Sequence, residues 1–274
     1  LVEELLGNNG SERFVRTEFA QPALFALQVG ITEVLRAQGV KPAAVTGHSV
    51  GEVAAAWACG ALNLEDAVKV IYHRSRHQGL TQGQGQMTAV GLGAEEMQAL
   101  LADPGFAGLS LAGINSSRGT TLAGDPQLLS CVESELEQRQ VFCKRLNLDY
   151  AFHSPAMDSI EEALIADLAQ LQPQTATIPF VSTVTGALCE GRLLDAEYWW
   201  HNIRKPVLFQ GAVDGLIEQG HRLFVEVGGH PVLRSYLNDG LRDAAQTGTV
   251  LGTINRSNDS DAVLQRTLMA IWLS

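Results

Sequence analysis

The chain has 274 residues, of which 46 % are hydrophobic and 18 % charged, as in a soluble globular protein. Its 19 basic and 30 acidic residues give a net charge of −11, which argues against nucleic acid or an anionic membrane as a partner. The four cysteines form no Cys-x-x-Cys pair, and the chain lacks both a basic leader and a run of roughly eighteen apolar residues. We therefore expect reduced thiols, no membrane span and a cytoplasmic protein.

Residues 1–85 alternate between helical patterns and one short buried strand. A helix opens near Ala20-Gln21-Pro22 and is ended by Gly39. The strand Ala43 to Thr46 follows, and after it comes an alanine-rich helix, Gly51 to Cys59. Asn63 caps one further helix, and this alternation predicts α/β layers.

The strand leads into Gly47-His48-Ser49-Val50-Gly51, a Gly-x-Ser-x-Gly pattern. Such a serine sits on a tight strand-to-helix turn, and we expect both flanking glycines to be required because side chains there would collide with the strand or the helix. The turn aims helical N–H groups at the hydroxyl, which favours acyl transfer through a serine ester. A glycine-rich turn before an ordinary helix gives the same pattern, so other residues must decide.

The pattern changes after Gln82–Gln86, a linker-like stretch of glycine and glutamine. Over residues 86–147 the periodicities predict the order β-α-β-β-α-β, which is that of a ferredoxin-like unit. We therefore predict an α/β fold with an α/β-hydrolase-like large subdomain, residues 1–85 and 148–274. The small ferredoxin-like subdomain is inserted into it.

The α/β alternation resumes in the second part of the large subdomain. The predicted elements are a helix Met157–Leu171, a strand Ile178–Ser182, a helix Phe209–Glu218, a strand Leu223–Val227, a helix Val232–Leu241, a strand Thr249–Thr253 and a helix Asp261–Leu273. These elements complete the layers around the predicted turn.

A serine nucleophile needs a base, and histidine is the usual one because its pKa is near neutrality. Of the seven histidines, His153 follows the return to the large subdomain, where a loop can project it toward the serine. His48 adjoins Ser49 but should point away from it. His73 and His77 lie one helical turn apart, as in a metal pair, but no third ligand is spaced to help, so we predict a solvated face and no metal site.

Arg74 lies on the same helical face as the apolar Val70 and Ile71, so we expect it to point inward. An unpaired guanidinium there would be costly. It pairs either with a carboxylate of the protein, as many buried arginines do, or with a carboxylate of the substrate, held by two hydrogen bonds. The residues alone leave both options open.

Six motifs occur in an order and spacing that resembles a known family. They are Gly47-His48-Ser49-Val50-Gly51-Glu52, His73-Arg74-Ser75-Arg76, Asn115, Tyr150-Ala151-Phe152-His153-Ser154, Tyr198-Trp199-Trp200-His201-Asn202 with Ile203-Arg204-Lys205-Pro206-Val207, and Glu226-Val227-Gly228-Gly229-His230-Pro231-Val232-Leu233. The chain is similar in these motifs to malonyl-CoA:acyl-carrier-protein transacylases, and above all to the acyltransferase domains of modular polyketide synthases. The similarity extends from about Glu18 to the end of the chain.

The resemblance implies a role for individual residues. Ser49 matches the nucleophile, His153 the base and Arg74 the binder of the extender unit's carboxylate. The Val50 amide is expected to form half of the oxyanion hole. Asn202 matches the residue whose backbone carbonyl orients the histidine, in place of a triad aspartate.

The same resemblance implies the partners of the reaction. Malonyl-CoA or a related acyl-CoA would be the donor, and the phosphopantetheine thiol of an acyl carrier protein would be the acceptor, next to other domains of a synthase for secondary metabolites such as antibiotics. The chain would need no cofactor of its own. The family also opens with a strand and a Gly-Gln-Gly turn that do not occur before Leu1, so we expect that oxyanion-hole glutamine to be missing from the chain.

Tyr150 and Phe152 occupy the family's specificity positions. The combination Tyr-Ala-Phe-His mixes His-Ala-Phe-His, which tends to accompany malonyl, with Tyr-Ala-Ser-His, which tends to accompany methylmalonyl. A bulky Phe152 should crowd an α-substituent, which favours malonyl, with an α-substituted malonyl unit as the alternative. Two other classes of function stay open at this point: a serine hydrolase that edits thioesters, and a non-catalytic scaffold domain of a synthase.

Overall fold

The structure is a computed structural model that describes residues 12–255 and 261–273, so the first eleven residues of the predicted large subdomain lie outside it. The α-helices are α1 Thr17–Ala37, α2 Gly51–Ala58, α3 Leu64–Gly79, α4 Ala94–Leu101, α5 Pro126–Gln138, α6 Glu161–Leu168, α7 Ala196–Arg204, α8 Phe209–Glu218, α9 Arg234–Asp243 and α10 Asp261–Leu273. The strands are β1 Val45–Thr46, β2 Gln86–Val90, β3 Ser110–Ser116, β4 Gly119–Gly124, β5 Cys143–Arg145, β6 Phe180–Ser182, β7 Ala187–Cys189, β8 Leu223–Glu226 and β9 Thr249–Gly252. Short 3₁₀ helices span Glu12–Val15, Pro104–Phe106, Pro155–Ile160 and Gly191–Leu193.

The large subdomain is built on a short sheet of order β1-β6-β7, in which β1 and β6 are parallel. The largest core lies beside this sheet and includes Val53, Ile71, Phe180 and Trp199. Helix α2 contributes alanines, which let its backbone approach the sheet closely. The predicted α/β packing of this part is therefore confirmed.

The small subdomain is an antiparallel sheet of order β3-β4-β2-β5, with helices α4 and α5 packed on it. When the four strands are numbered from the start of this subdomain, their order in the sheet and their β-α-β-β-α-β connectivity are those of a ferredoxin-like fold. All four strands fall within the predicted range of residues 86–147. The predicted fold class is confirmed.

A third group of elements comes from the C-terminal part of the chain. Strands β8 and β9 pair in parallel, and helices α8 and α9 pack beside them around Phe209, Leu237 and Val250. In the part of the chain that the structure describes, no helix is long and apolar enough to cross a membrane. All four cysteines are unpaired, as expected.

Several helix boundaries differ from the prediction; α9, predicted as Val232–Leu241, spans Arg234–Asp243. Helix α1 begins at Thr17, so Pro22 lies inside it rather than at its start, the commonest place for proline in a helix. The predicted helix Met157–Leu171 begins as the 3₁₀ helix Pro155–Ile160 and ends at Leu168. Its first turn is fixed by Ser154, whose side chain accepts a hydrogen bond from the Ala156 amide.

The two glycines beside Ser49 are not equivalent. A Cβ on Gly47 would lie 2.2 Å from the backbone nitrogen of Glu52, a clash with rigid backbone. A Cβ on Gly51 would meet only the Gln28 side chain, at 4.0 Å, so the expectation that both glycines are needed to avoid a collision is wrong for Gly51. The first helix turn folds back over Gly47 alone.

We therefore expect Gly47→Ala to lower the free energy of unfolding by more than about 4 kcal/mol, because the turn must open to admit the methyl group. Gly51→Ala is the matched control. It adds the same methyl group at the first position of α2, and we expect it to be neutral or to stabilise by about 0.5–1 kcal/mol. Urea unfolding of both variants measures the difference, and equal losses would contradict this account of the turn.

Candidate active site

Ser49 lies on the sharp turn between β1 and α2, in a strained backbone conformation. Its φ is 52°, in the left-handed region that residues with a side chain rarely adopt. The amides of Gly51 and Glu52 donate to the carbonyls of His48 and Ser49, which starts the helix directly behind the serine. Val50 is the N-cap residue of α2, so its amide adjoins the serine at the positive end of the helix.

His153, which follows the inserted subdomain in the chain, contacts Ser49, as predicted. Its Nε2 lies 2.8 Å from the Ser49 Oγ, and its Nδ1 lies 2.8 Å from the backbone carbonyl oxygen of Lys205. The prediction that Asn202 supplies this carbonyl is therefore wrong. Helix α7 ends at Arg204, and a C-terminal carbonyl just past that end is free to accept from the imidazole.

The imidazole of His153 is held in its neutral form. Burial, and then the positive charge of Arg74, lower its pKa from 6.5 to about 3. In the neutral ring, Nδ1–H donates to the Lys205 carbonyl, so the lone pair of Nε2 accepts the hydroxyl proton of Ser49. This is the tautomer that a general base requires.

Arg74 is 1 % exposed and points into the site, as its helical face predicted. Its Nη2 donates to the Ser49 Oγ at 3.0 Å, and its Nε donates to the Asn202 side-chain oxygen at 3.1 Å. Its Nη1 donates to the side-chain oxygens of Gln78, at 2.9 Å, and Gln21. Within the described residues, every hydrogen bond of this guanidinium therefore ends on a neutral oxygen.

This environment leaves the cation of Arg74 poorly compensated. Burial lowers its pKa from 12.5 to about 9, and Glu52 opposes that shift only through space. Arginine normally resists deprotonation, so a pKa in this range marks a charge held without solvent or a bonded counter-ion. The first alternative from the sequence, a carboxylate of the protein bonded to Arg74, does not occur among the described residues.

Asn202 joins the arginine to a buried carboxylate instead of orienting the histidine. Its Nδ2 donates to Glu52 at 2.7 Å and to the Ser49 carbonyl at 3.1 Å. Glu52 also accepts hydrogen bonds from the Tyr198 hydroxyl, at 2.8 Å, and from Thr183. Burial raises the pKa of Glu52, and these donors oppose the rise. The network fixes both the serine turn and the guanidinium.

Sequence reasoning missed the two glutamines that bind Arg74. Gln78 lies one turn after Arg74 on α3, a spacing that brings two side chains together, so the sequence contained this signal. Gln21 comes from α1, fifty-three positions before Arg74, and only the packing of the two helices brings it there. Gln21 also donates to the Gln78 oxygen at 2.8 Å.

His48 points away from Ser49, as expected, and joins the two subdomains. Its Nε2 lies 2.7 Å from the side-chain oxygen of Asn115 on β3, and its ring packs edge-on against Phe209. Burial lowers the pKa of His48, so it too is neutral. Asn115, one of the motif residues, therefore acts at the contact between the subdomains.

The specificity candidates Tyr150 and Phe152 form one stacked pair. Their ring centroids are 4.9 Å apart and their planes differ by 12°. Tyr150 is buried, and its hydroxyl accepts from the Thr17 amide at 3.4 Å. Phe152 is partly buried against the cores of both subdomains, directly before His153 in the chain.

The prediction that His73 and His77 lack a third ligand is wrong. Asp167, on helix α6, places one carboxylate oxygen 2.9 Å from His73 Nδ1 and 2.7 Å from His77 Nε2. The helix face is therefore a contact between two helices and not a solvated surface. Asp167 lies ninety positions after His77 in the chain, a separation that sequence spacing cannot connect to the histidine pair.

The chain is similar in sequence and fold to known proteins. Erythronolide synthase EryA2 of Saccharopolyspora erythraea is 37 % identical over 270 residues, which are 98 % of this chain and 8 % of that protein. The acyltransferase domain from module 8 of the salinomycin polyketide synthase is 38 % identical with a TM-score of 0.95, over 99 % of this chain and 64 % of that one. Malonyl CoA-acyl carrier protein transacylase from Clostridium perfringens is 25 % identical with a TM-score of 0.86, over 98 % of this chain and 84 % of that one. The chain thus spans about a tenth of the length of its curated relatives.

The fold defines an α/β acyltransferase of the kind found in polyketide synthases. The family described as the acyl transferase domain matches residues 1–271, and the chain belongs to that family. The resemblance seen in the motifs is thereby confirmed at the level of family, fold and enzyme class.

Proposed function

We propose that this protein transfers a malonyl group from coenzyme A, through an ester on Ser49, to the phosphopantetheine thiol of an acyl carrier protein in polyketide synthesis. One observation carries the proposal. The guanidinium of Arg74 is buried, donates only to neutral oxygens among the described residues, and places its Nη2 3.0 Å from the Ser49 Oγ. A carboxylate one or two bonds from a bound acyl carbonyl would complete its coordination.

In the first half-reaction, His153 Nε2 takes the hydroxyl proton as the Ser49 Oγ attacks the thioester carbonyl. The carbonyl oxygen becomes an oxyanion, for which the Val50 amide and the N-terminus of α2 supply positive potential. Collapse of the tetrahedral intermediate breaks the carbon–sulfur bond, and the coenzyme A sulfur leaves with the proton from His153. The Lys205 carbonyl holds the ring in place during both transfers.

In the second half-reaction, His153 takes the proton of the carrier's thiol, and the thiolate attacks the Ser49 ester. The malonyl group leaves on the pantetheine sulfur, and the proton returns to Ser49. Water must be kept off the ester, because hydrolysis competes with transfer. The chain needs no cofactor of its own for these steps, since the carrier protein brings the pantetheine.

Arg74 would select carboxylated acyl groups by exchanging partners. In the free protein its Nη2 donates to the Ser49 Oγ, and a substrate carboxylate would replace that weak acceptor with two charge-assisted hydrogen bonds. Asn202, Gln21 and Gln78 hold the rest of the guanidinium in place. The site is thus preorganised for an anion beside the nucleophile.

Incubation with malonyl-CoA should give a single malonyl adduct by intact-protein mass spectrometry, and the adduct should be absent from Ser49→Ala. We expect Arg74→Gln to slow malonyl loading by about 30- to 150-fold, the equivalent of about 2–3 kcal/mol. Loading from acetyl-CoA should fall much less in the same variant, which also shows that it folds. An unmodified wild-type protein would favour the scaffold alternative, and rapid loss of the adduct to water would favour the hydrolase.

The rate of acylation should depend on pH through His153. Because burial and the charge of Arg74 hold the pKa of His153 near 3, the acid limb should lie well below pH 6.5. Removing the guanidinium in Arg74→Gln should move that limb to higher pH, and burial should keep it below 6.5. The measurement is the pH profile of Ser49 acylation by a small uncharged acetyl thioester, which does not need Arg74. Arg139→Gln, far from the site, is the control, and a limb that stays fixed in Arg74→Gln would contradict the coupling.

We further propose that malonyl is preferred over α-substituted units. Phe152 precedes the catalytic histidine, and its ring is stacked on the buried ring of Tyr150. A side chain held in this way cannot move aside for an added methyl group without breaking the stack. One methylene in an apolar site changes selectivity by roughly 10- to 200-fold, which is enough to set a preference.

In a competition between equal concentrations of malonyl-CoA and methylmalonyl-CoA, we expect the wild-type protein to load malonyl at least about 10-fold faster. Phe152→Ser should reduce that ratio, because it removes the ring that crowds the α-carbon. Phe142→Ser, which changes a 64 % exposed ring, is the matched control and should leave the ratio unchanged. Preferential loading of methylmalonyl by the wild-type protein would overturn this reading of Phe152.

A further inference from the structure

Helix α3 carries polar side chains on two of its faces. Arg74 and Gln78 face Ser49, whereas His73 and His77 face helix α6. Both imidazoles point a ring nitrogen at the same carboxylate oxygen of Asp167, at 2.9 and 2.7 Å. The three ligand atoms lie within 4.8 Å of one another, and the proposed acyl transfer uses none of them.

We propose that His73, His77 and Asp167 form a binding site for a divalent transition metal ion of the zinc type. Two imidazoles and one carboxylate are a known zinc ligand set, which a water molecule completes to a tetrahedron. Zinc bonds of roughly 2.0–2.2 Å place tetrahedral ligand atoms about 3.4 Å apart. The two nitrogen–oxygen distances would therefore have to open by only about 0.5–0.7 Å.

The side chains are already arranged for an ion to enter. The rings of His73 and His77 are nearly parallel, at 23°, because residues four apart project from the same side of a helix. His77 is almost fully buried, His73 is partly exposed, and Asp167 is 44 % exposed. An ion and its water can thus reach the site from the Asp167 side, while His77 stays fixed.

The charges and the surroundings of the three ligands predict that the site binds a cation with moderate affinity. With both imidazoles neutral, the carboxylate leaves the set with one negative charge. The Nδ1 of His77 is buried and has no hydrogen-bond partner among the residues that the structure describes, so none of them supports this ligand when Nε2 binds the ion. Loss of such support typically weakens metal binding by about 10- to 100-fold, so we expect weaker binding than at a zinc site whose histidines are all supported.

A bound ion would join α3 to α6 by coordinate bonds. The hydrogen bonds of Asp167 already link the two helices in the free protein. Because α3 also carries Arg74, the ion would hold the helix that supports the guanidinium. The expected consequence is a higher unfolding temperature in the presence of metal, since an ion that binds only the folded state stabilises it by mass action.

The test uses metal-free protein titrated with zinc against a zinc-binding dye, together with the metal-dependent change in unfolding temperature. We expect one equivalent to bind, and a visible spectrum typical of four-coordinate cobalt when cobalt(II) replaces zinc. His73→Gln, His77→Gln and Asp167→Asn should each weaken binding by at least about 10-fold and abolish the metal-dependent shift. The shift is compared within each variant, so a general loss of stability does not affect it.

Two control variants locate the ion. His221→Gln changes a histidine far from the cluster, and His153→Asn removes the histidine beside Ser49; both should retain the metal-dependent shift. Loss of the shift in His153→Asn alone would place the ion at Ser49 and overturn the proposal. A wild-type protein that binds no zinc up to high micromolar concentration, or cluster variants that bind it equally well, would also overturn it. The cluster would then be only a hydrogen-bonded contact between two helices.

Discussion

The site depends on one buried cation that no carboxylate of the described residues binds directly. Arg74 is held by amide oxygens from Asn202, Gln21 and Gln78, which come from three different helices. Neutral acceptors position a guanidinium without neutralising it, so its charge stays available to a ligand. A carboxylate of the protein in the same place would make the arginine a structural ion pair. The use of amides rather than carboxylates around Arg74 is thus what would give the site the preference for an anion that we propose.

The same cation also lowers the pKa of the base, His153. His153 lies close enough to Arg74 for the positive charge to oppose protonation of the ring, in addition to the effect of burial. Burial and the charge of Arg74 therefore both favour the neutral ring of His153, and burial is the larger cause. The Asn202 side chain lies between Glu52 and the guanidinium and binds both, so the carboxylate does not contact the arginine directly. The protein has a compensating carboxylate nearby and holds it out of direct contact.

The sequence predicted those parts of the site that depend on residues close together in the chain. The turn at Ser49, the inward face of Arg74 and the loop position of His153 follow from the motif, the helical period and the order of elements. The Lys205 carbonyl could not be found in this way, because every residue has a carbonyl and only the end of α7 determines which one is free. Gln21 was missed for a related reason, since its role arises from the crossing of two helices.

The serine and the histidine both lie on strained backbone. Both Ser49 and His153 adopt a positive φ, 52° and 59°, which aims each side chain out of its chain direction. Such conformations cost of order 1–3 kcal/mol each and persist only where surrounding contacts enforce them. At Ser49 the carbonyl is held by Asn202, and at His153 the amide donates to the Ile203 carbonyl. Helix α7 therefore enforces both strained residues, and a change in its position would relax the nucleophile and the base together.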